Sequence, residues 1–224
     1  MKKINYLLSC LLAVMHCACE SLDTNYDVSG TADGYEYVDL CLSSGTKWAT
    51  CNVGANSPED YGDYFAWGET LPKSIYDHNS YKWMRGSYYT KYCIDKIDGV
   101  VDNKKNLDLT DDAAYANLGS SWRMPTKKEL DELRDECIWT YINQNGVNGY
   151  RVTSRINNKS IFLPAAGYRS DSNLYDDVFS GNYWGSSLDA NKSRTASTIC
   201  FRSTKLYNND FPRTTGLSVR AVLR

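Results

Sequence analysis

The chain has 224 residues, with 25 basic and 27 acidic side chains and a formal charge of −2. So mild an acidity offers no cationic field for nucleic acid or for anionic lipid headgroups. Of two histidines one lies in an N-terminal apolar run, so a multi-histidine zinc centre is excluded and any serine–histidine chemistry would have to use His78.

Lys2 and Lys3 precede an apolar run over residues 4–18 that stops at Cys19. The run is about 15 residues, short of the ~20 that cross hydrocarbon, so it reads as a secretory signal of lipoprotein type. Cleavage after Ala18 makes Cys19 the lipidation site and the protein's link to the membrane, and removes Cys10, Cys17 and His16. The alternative at Ser9-Cys10 lies too close to the lysines. The expected location is the bacterial outer membrane, lipid-anchored, at the cell surface or facing the periplasm. Residues 19–35 are polar and acidic and read as a flexible tether, with one folded domain expected over 36–224.

Within that domain, Tyr37-Val38-Asp39-Leu40-Cys41-Leu42 alternates as a strand and turns at Ser43-Ser44-Gly45 into a second strand over 46–53. The aromatic run 61–67 suits a strand or a buried turn. Residues 69–106 are polar and aperiodic, which implies a dedicated loop region. Thr110-Asp111-Asp112 opens a helix that ends before Gly119. Thr126 and Glu129 form a capping box after Pro125, and Leu130, Leu133 and Cys137 give the second helix one buried face. A hairpin over 150–163 and strands over 183–188, 195–202 and 217–223 complete an α+β pattern. The body retains Cys41, Cys51, Cys93, Cys137 and Cys200, an odd set with no Cys-x-x-Cys, which gives no support to a zinc knuckle or a thioredoxin-like site. Eighteen Tyr and six Trp against five Phe suit rigid surfaces that meet sugars or proteins, although tyrosine use in strands explains most of them.

Several blocks resemble the Fibrobacter succinogenes major paralogous domain of Bacteroidetes-type lipoproteins: Ser44-Gly45-Thr46-Lys47-Trp48-Ala49-Thr50-Cys51-Asn52-Val53-Gly54, Tyr61-Gly62-Asp63-Tyr64-Phe65-Ala66-Trp67-Gly68, Trp122-Arg123-Met124-Pro125-Thr126, Leu163-Pro164-Ala165-Ala166-Gly167 and Tyr183-Trp184. The resemblance, distantly shared with C-type-lectin-like and formylglycine-generating-enzyme-like domains, implies a mixed α+β fold. Two short helices, antiparallel strands, paired terminal strands and a long irregular loop region are its expected features. Trp48, Trp67 and Trp184 then read as core aromatics. In the Trp122–Glu129 block, Arg123 is expected to be buried and to tie the helix start to nearby carbonyls. Cys41 stands where the family usually has glycine, Gly185 where serine is expected and Ala221 where proline is usual. Cysteine is frequent in the family blocks holding Cys51 and Cys137, which implies a disulfide between them, and Cys41 with Cys200 is a further candidate pair.

Calcium is compatible with three loop clusters, Asp108/Asp111/Asp112, Asp171/Asp176/Asp177 and Asn208/Asn209/Asp210, though the tripeptides of calcium-dependent sugar binding are absent. The expected function is non-catalytic: binding of a glycan or protein through loops 69–106 and 170–182, with Tyr81, Trp83, Tyr88, Tyr89 and Tyr175 as contacts. The alternatives are an envelope enzyme, either a thiol/copper oxidase or a carboxylate hydrolase, and a structural subunit of a surface assembly.

Overall fold

A computed structural model describes residues 28–207 and 209–224, so the apolar run, Cys19 and Asn208 lie outside the described residues. The regular structure among the described residues is mainly antiparallel β-sheet, with two α-helices. No helix among the described residues is long and apolar enough to cross a membrane.

Strands β1 (Gly30–Ala32), β2 (Tyr35–Asp39) and β3 (Lys47–Asn52) form an antiparallel meander. Regular structure then lapses, apart from the short hairpin of β4 (Met84–Arg85) and β5 (Tyr88–Tyr89) and a 3-10 turn at Leu109–Asp111. Helix α1 (Ala113–Leu118), strand β6 (Trp122–Arg123) and helix α2 (Lys127–Glu136) follow. Strands β7 (Cys137–Gln144), β8 (Val147–Ser154) and β9 (Ser160–Pro164) make a second sheet. A hairpin of β10 (Tyr168–Ser170) and β11 (Asn173–Tyr175) leads into the third, formed by β12 (Ser180–Leu188), β13 (Thr195–Arg202), β14 (Lys205–Tyr207) and β15 (Phe211–Pro212). Finally β16 (Arg220–Leu223) returns between β3 and β6, so both ends of the described chain share one sheet.

Two sequence expectations need correction here, and a third, left open, is settled. Residues 30–34 are not tether: Ala32 pairs with Tyr35 around an Asp33-Gly34 turn whose φ angles, 48° and 85°, are those of a type I′ hairpin. Cys137 does not extend the helix; it is extended at φ −105°, ψ 164° and opens β7, which an Asn145-Gly146 turn with both φ positive folds onto β8. Of the two alternatives for the run 61–67 the structure shows the turn, buried over 64–67 and tied to the C-terminal segment by the Phe65↔Leu217 bridge and by the Trp67 amide, which donates to the Arg213 carbonyl.

The helix start keeps its capping box, Thr126 accepting from the Glu129 amide while Glu129 accepts from the Thr126 amide. Arg123 is only half-buried, and its guanidinium grips the Glu129 carboxylate at 2.7 and 2.6 Å, with one further bond to the Met124 carbonyl. Burial opposes that carboxylate's charge. Arg123 and the Thr126 amide outweigh it and hold Glu129 at about 2. The fully buried arginine of the sheet is Arg220, which donates to Asn52 Oδ1 and to the carbonyls of Ala49, Thr50 and Phe162. It thereby joins the first sheet to β9.

Trp48, Trp67, Trp122 and Trp184 are all at most 1% exposed. Each ring removes roughly 150–250 Å² from water, on the order of 4–6 kcal/mol before entropy is counted, which makes them core anchors. The Trp67 indole donates to the Gly185 carbonyl and the Trp184 indole to the Phe65 carbonyl, a reciprocal stitch between the two segments. Gly185 sits where a Cβ would fall 2.8 Å from Leu130 Cδ1 and 2.7 Å from Ser197 Oγ, so the serine expected there has no room.

Candidate functional site

The two loop segments meet. Tyr76 N donates to the Asp171 carbonyl at 2.9 Å and Asp171 N returns the bond to Tyr76 at 3.0 Å. Between them lies a separate buried cluster of Tyr64, Ala66, Tyr76, Tyr81, Met84, Tyr89, Cys93 and Ala166. The long polar segment thus packs its own small core.

Its central residue is one the sequence reading missed. Arg213 is fully buried and donates to Tyr81 Oη and to the carbonyls of Lys91, Tyr92 and Ser193, all at 2.9–3.0 Å. Its guanidinium carbon stands 4.4 Å from the Tyr89 ring centroid and 5.0 Å from that of Trp67, with Tyr81 and Tyr92 also within 6 Å. Carbonyl dipoles and ring faces thus surround the cation. Its partners are a hydroxyl and carbonyls from segments distant in the chain, so nothing beside Arg213 in the sequence announces its role.

Carboxylates order the rest of the segment by capturing backbone amides. Asp102 accepts from the amides of Tyr92, Cys93 and Lys104 at 2.8, 2.9 and 3.1 Å. Burial works against its charge, and these amides prevail, holding it below the usual carboxylate range. Asp111 pairs with Lys82 and Lys91, and both ammonium groups lie over the Trp83 ring, at 4.4 and 4.9 Å.

On the surface of this layer a cavity of ≈ 490 Å³ is lined by His78, Asn79, Met84, Gly86, Ser87, Tyr89 and Arg194. That size lies within the range of small-molecule sites. Met84 and Tyr89 give it an apolar wall; Asn79, Ser87, His78 and Arg194 give it polar rims. His78 is exposed, with Nδ1 3.2 Å from Met84 Sδ. Asp98 Oδ1 accepts from Arg194 Nε at 2.7 Å, which aims the guanidinium, and its terminal amino groups have no hydrogen-bond partner among the described residues.

Of the five aromatic contacts expected from sequence, Tyr88 and Tyr175 are exposed, Tyr88 beside the cavity and Tyr175 stacked on Tyr168 with centroids 5.5 Å apart. Trp83 is half-buried, with its indole donating to the Gly68 carbonyl. Tyr81 and Tyr89 are both buried, the Tyr81 hydroxyl donating to the Trp67 carbonyl and both rings packing on Arg213; Tyr81 is thereby corrected to the core, whereas Tyr89 also lines the cavity. Neither implied disulfide is present: all five body cysteines are free, with Cys137 in the main core and Cys51 on a separate cavity beside Tyr35 and Leu118. Cys41 is exposed while Cys200 is buried.

Several of the carboxylates in the candidate calcium clusters have other partners. Asp108 and Asp111 are neutralised by lysines, and Asp112 caps α1 and accepts from the Met124 amide. Asp176 pairs with Arg202. Burial and then the neighbouring Asp189 carboxyl push Asp210 up to about 6. No group of three or more metal-ligating His, Cys, Asp or Glu side chains comes together among the described residues.

No family model, curated protein or solved structure matches the chain.

Proposed function

We propose that this chain is a non-catalytic, lipid-anchored envelope protein whose C-type-lectin-like domain binds a glycan in the cavity between His78 and Arg194. The observation that carries the reading is the cavity's lining: an aromatic and thioether wall faced by an amide, a hydroxyl and a guanidinium with free donors. Sugars are bound in this way, with their C–H faces on an aromatic wall and their hydroxyls or carboxylates on planar donors. The free Arg194 donors favour a glycan carrying an acidic sugar. Tyr88, 60% exposed between the lining residues Ser87 and Tyr89 but not itself part of the lining, is the further aromatic this reading assigns to the lip.

The family reading gains support from Cys41. Its φ of 51° is left-handed backbone that glycine adopts without strain, and glycine is what the resemblance leads one to expect there. The shared sheet of the first and last strands also suits it.

The purified protein is screened on an array that includes uronic and sialic acid glycans, beside Arg194→Ala and Tyr88→Ala. Selective binding that falls roughly tenfold in each variant, with unchanged unfolding curves, supports the proposal. Silence of the native protein on glycans, or binding indifferent to both substitutions, overturns it. Capture of a protein ligand through the same residues would replace the glycan, and turnover of a thiol or glycoside substrate would return the enzyme alternative. Anchoring is tested by palmitate labelling, which Cys19→Ser should abolish.

A further inference from the structure

Strand β7 is an edge of the second sheet. Its register with β8 runs unbroken through eight pairs, from Cys137↔Ser154 to Gln144↔Val147. On the β9 side of β8, Ser154 N donates to the Lys159 carbonyl and the Asn148 carbonyl accepts from Ala165 N, each at 2.8 Å. Backbone groups alternate sides along an antiparallel strand, so Thr153, Arg151, Gly149 and Val147 turn theirs toward β7. Their partners Ile138, Thr140, Ile142 and Gln144 turn inward to meet them.

The N–H and C=O groups of Trp139, Tyr141 and Asn143 therefore face away from the sheet. Among the described residues none of them has a hydrogen-bond partner, and apart from α2, which runs into the strand, no helix or strand lies alongside β7 beyond β8. The strand carries none of the devices that blunt an edge: its sequence, Cys-Ile-Trp-Thr-Tyr-Ile-Asn-Gln, holds no charge, no proline and no bulge. On its outer face Ile138 is 46% exposed, Thr140 is exposed and Ile142 is half-buried.

We propose that β7 pairs antiparallel with β7 of a second copy of this chain, about a two-fold axis at Tyr141, to form one continuous six-stranded sheet. The occupant follows from symmetry. Cys137 is the cap of α2, and the three outward-facing residues beyond it are centred on Tyr141, so Trp139 meets Asn143 of the copy, Tyr141 meets Tyr141, and each of their free donors finds an acceptor. On the outer face Thr140 stands opposite Ile142 of the copy, twice, and Ile138 opposite Gln144. Since the strand is uncharged, a copy meets itself without repulsion. This interface is separate from the His78–Arg194 cavity, and its fate does not depend on the glycan reading.

The native lipoprotein in detergent is examined by sedimentation equilibrium at micromolar concentration, beside two double variants. Thr140→Lys with Ile142→Lys sets like charges opposite each other and should weaken the dimer roughly tenfold or more. Thr140→Lys with Ile142→Asp sets opposite charges face to face in this register and should keep it. Directly opposed residues in such a non-hydrogen-bonded pair lie about 4.5 Å apart at Cα, within disulfide reach. In a Cys41→Ser background, Thr140→Cys with Ile142→Cys should therefore give a reducible dimer band that Thr140→Cys alone does not.

A monomeric native protein overturns the proposal, and so does a dimer unaffected by the two lysines. Should the lysine pair not fold, as judged by circular dichroism, the cysteine pair decides: no reducible dimer overturns the proposal. The Arg194→Ala protein should dimerise normally, which separates this result from any failure of ligand binding.

Discussion

Replacing Arg213 tests how the loop layer is held. Methionine nearly matches its length but donates nothing, so Arg213→Met leaves the carbonyls of Lys91, Tyr92 and Ser193 in a buried site without their donor, and removes the donor to Tyr81 Oη. Each orphaned buried acceptor costs about 1–3 kcal/mol, and the lost attraction to the surrounding rings adds about 1–2. These are not additive, and about 4 kcal/mol is a fair total against a domain stability of roughly 5–15. Arg213→Lys keeps the charge but cannot reach three directions at once, and should cost about 2 kcal/mol. Urea unfolding followed by tryptophan fluorescence measures both, and amide exchange should quicken over residues 81–93. A loss below about 1 kcal/mol for Arg213→Met, with exchange there unchanged, would refute the claim that this cation organises the layer.

Glu129 makes acid stability measurable. Its folded pKa of about 2 lies below the ordinary 4.5, so its contribution is complete above about 4.5 and disappears as pH falls through 2. Glu129→Gln should flatten the stability profile between those values and cost about 2 kcal/mol at neutral pH, read from urea midpoints. Thiol labelling tests the cysteines. Cys41 should react with maleimide in the native state, whereas Cys137 and Cys200, whose thiols burial pushes up to about 12, should react only on unfolding, and no disulfide should appear by mass. Val178 sits at φ 62°, an outlier for a β-branched side chain, so Val178→Gly should raise the melting temperature, by about 1 kcal/mol of relieved strain; a fall would show that its packing matters more.

Local chemistry made much of this fold legible. The capping box at Thr126 and Glu129, the pairing of the Val38 strand with the Trp48 strand and the helix stopping before Gly119 follow from side-chain spacing and appear as read. The hairpins at Asp33-Gly34 and Asn145-Gly146 went unread although each dipeptide signals a type I′ turn, because a polar tether and a helical periodicity carried more weight. The site was harder. Residues 78–89 share tyrosines with no period, so nothing local separates Tyr88, which faces solvent, from Tyr89, which packs on Arg213. That distinction is made by a residue more than a hundred positions away. Arg123 and Arg213 illustrate the same limit. The first was singled out within its Trp-Arg-Met-Pro-Thr block, but carbonyls were expected as its partners and not the carboxylate six residues on. The second is satisfied by carbonyls from distant loops, which leave no mark in sequence.

The placement of β16 between β3 and β6 governs when this protein can fold. Arg220 reaches Asn52 across 168 positions, so the sheet that the N-terminal strands begin must wait, half-finished, for a strand far along the chain. Such distant closure is slow and leaves the nascent strands open to wrong partners. A protein assembled in this order completes its first sheet only when residues 220–223 arrive, as one late closing step.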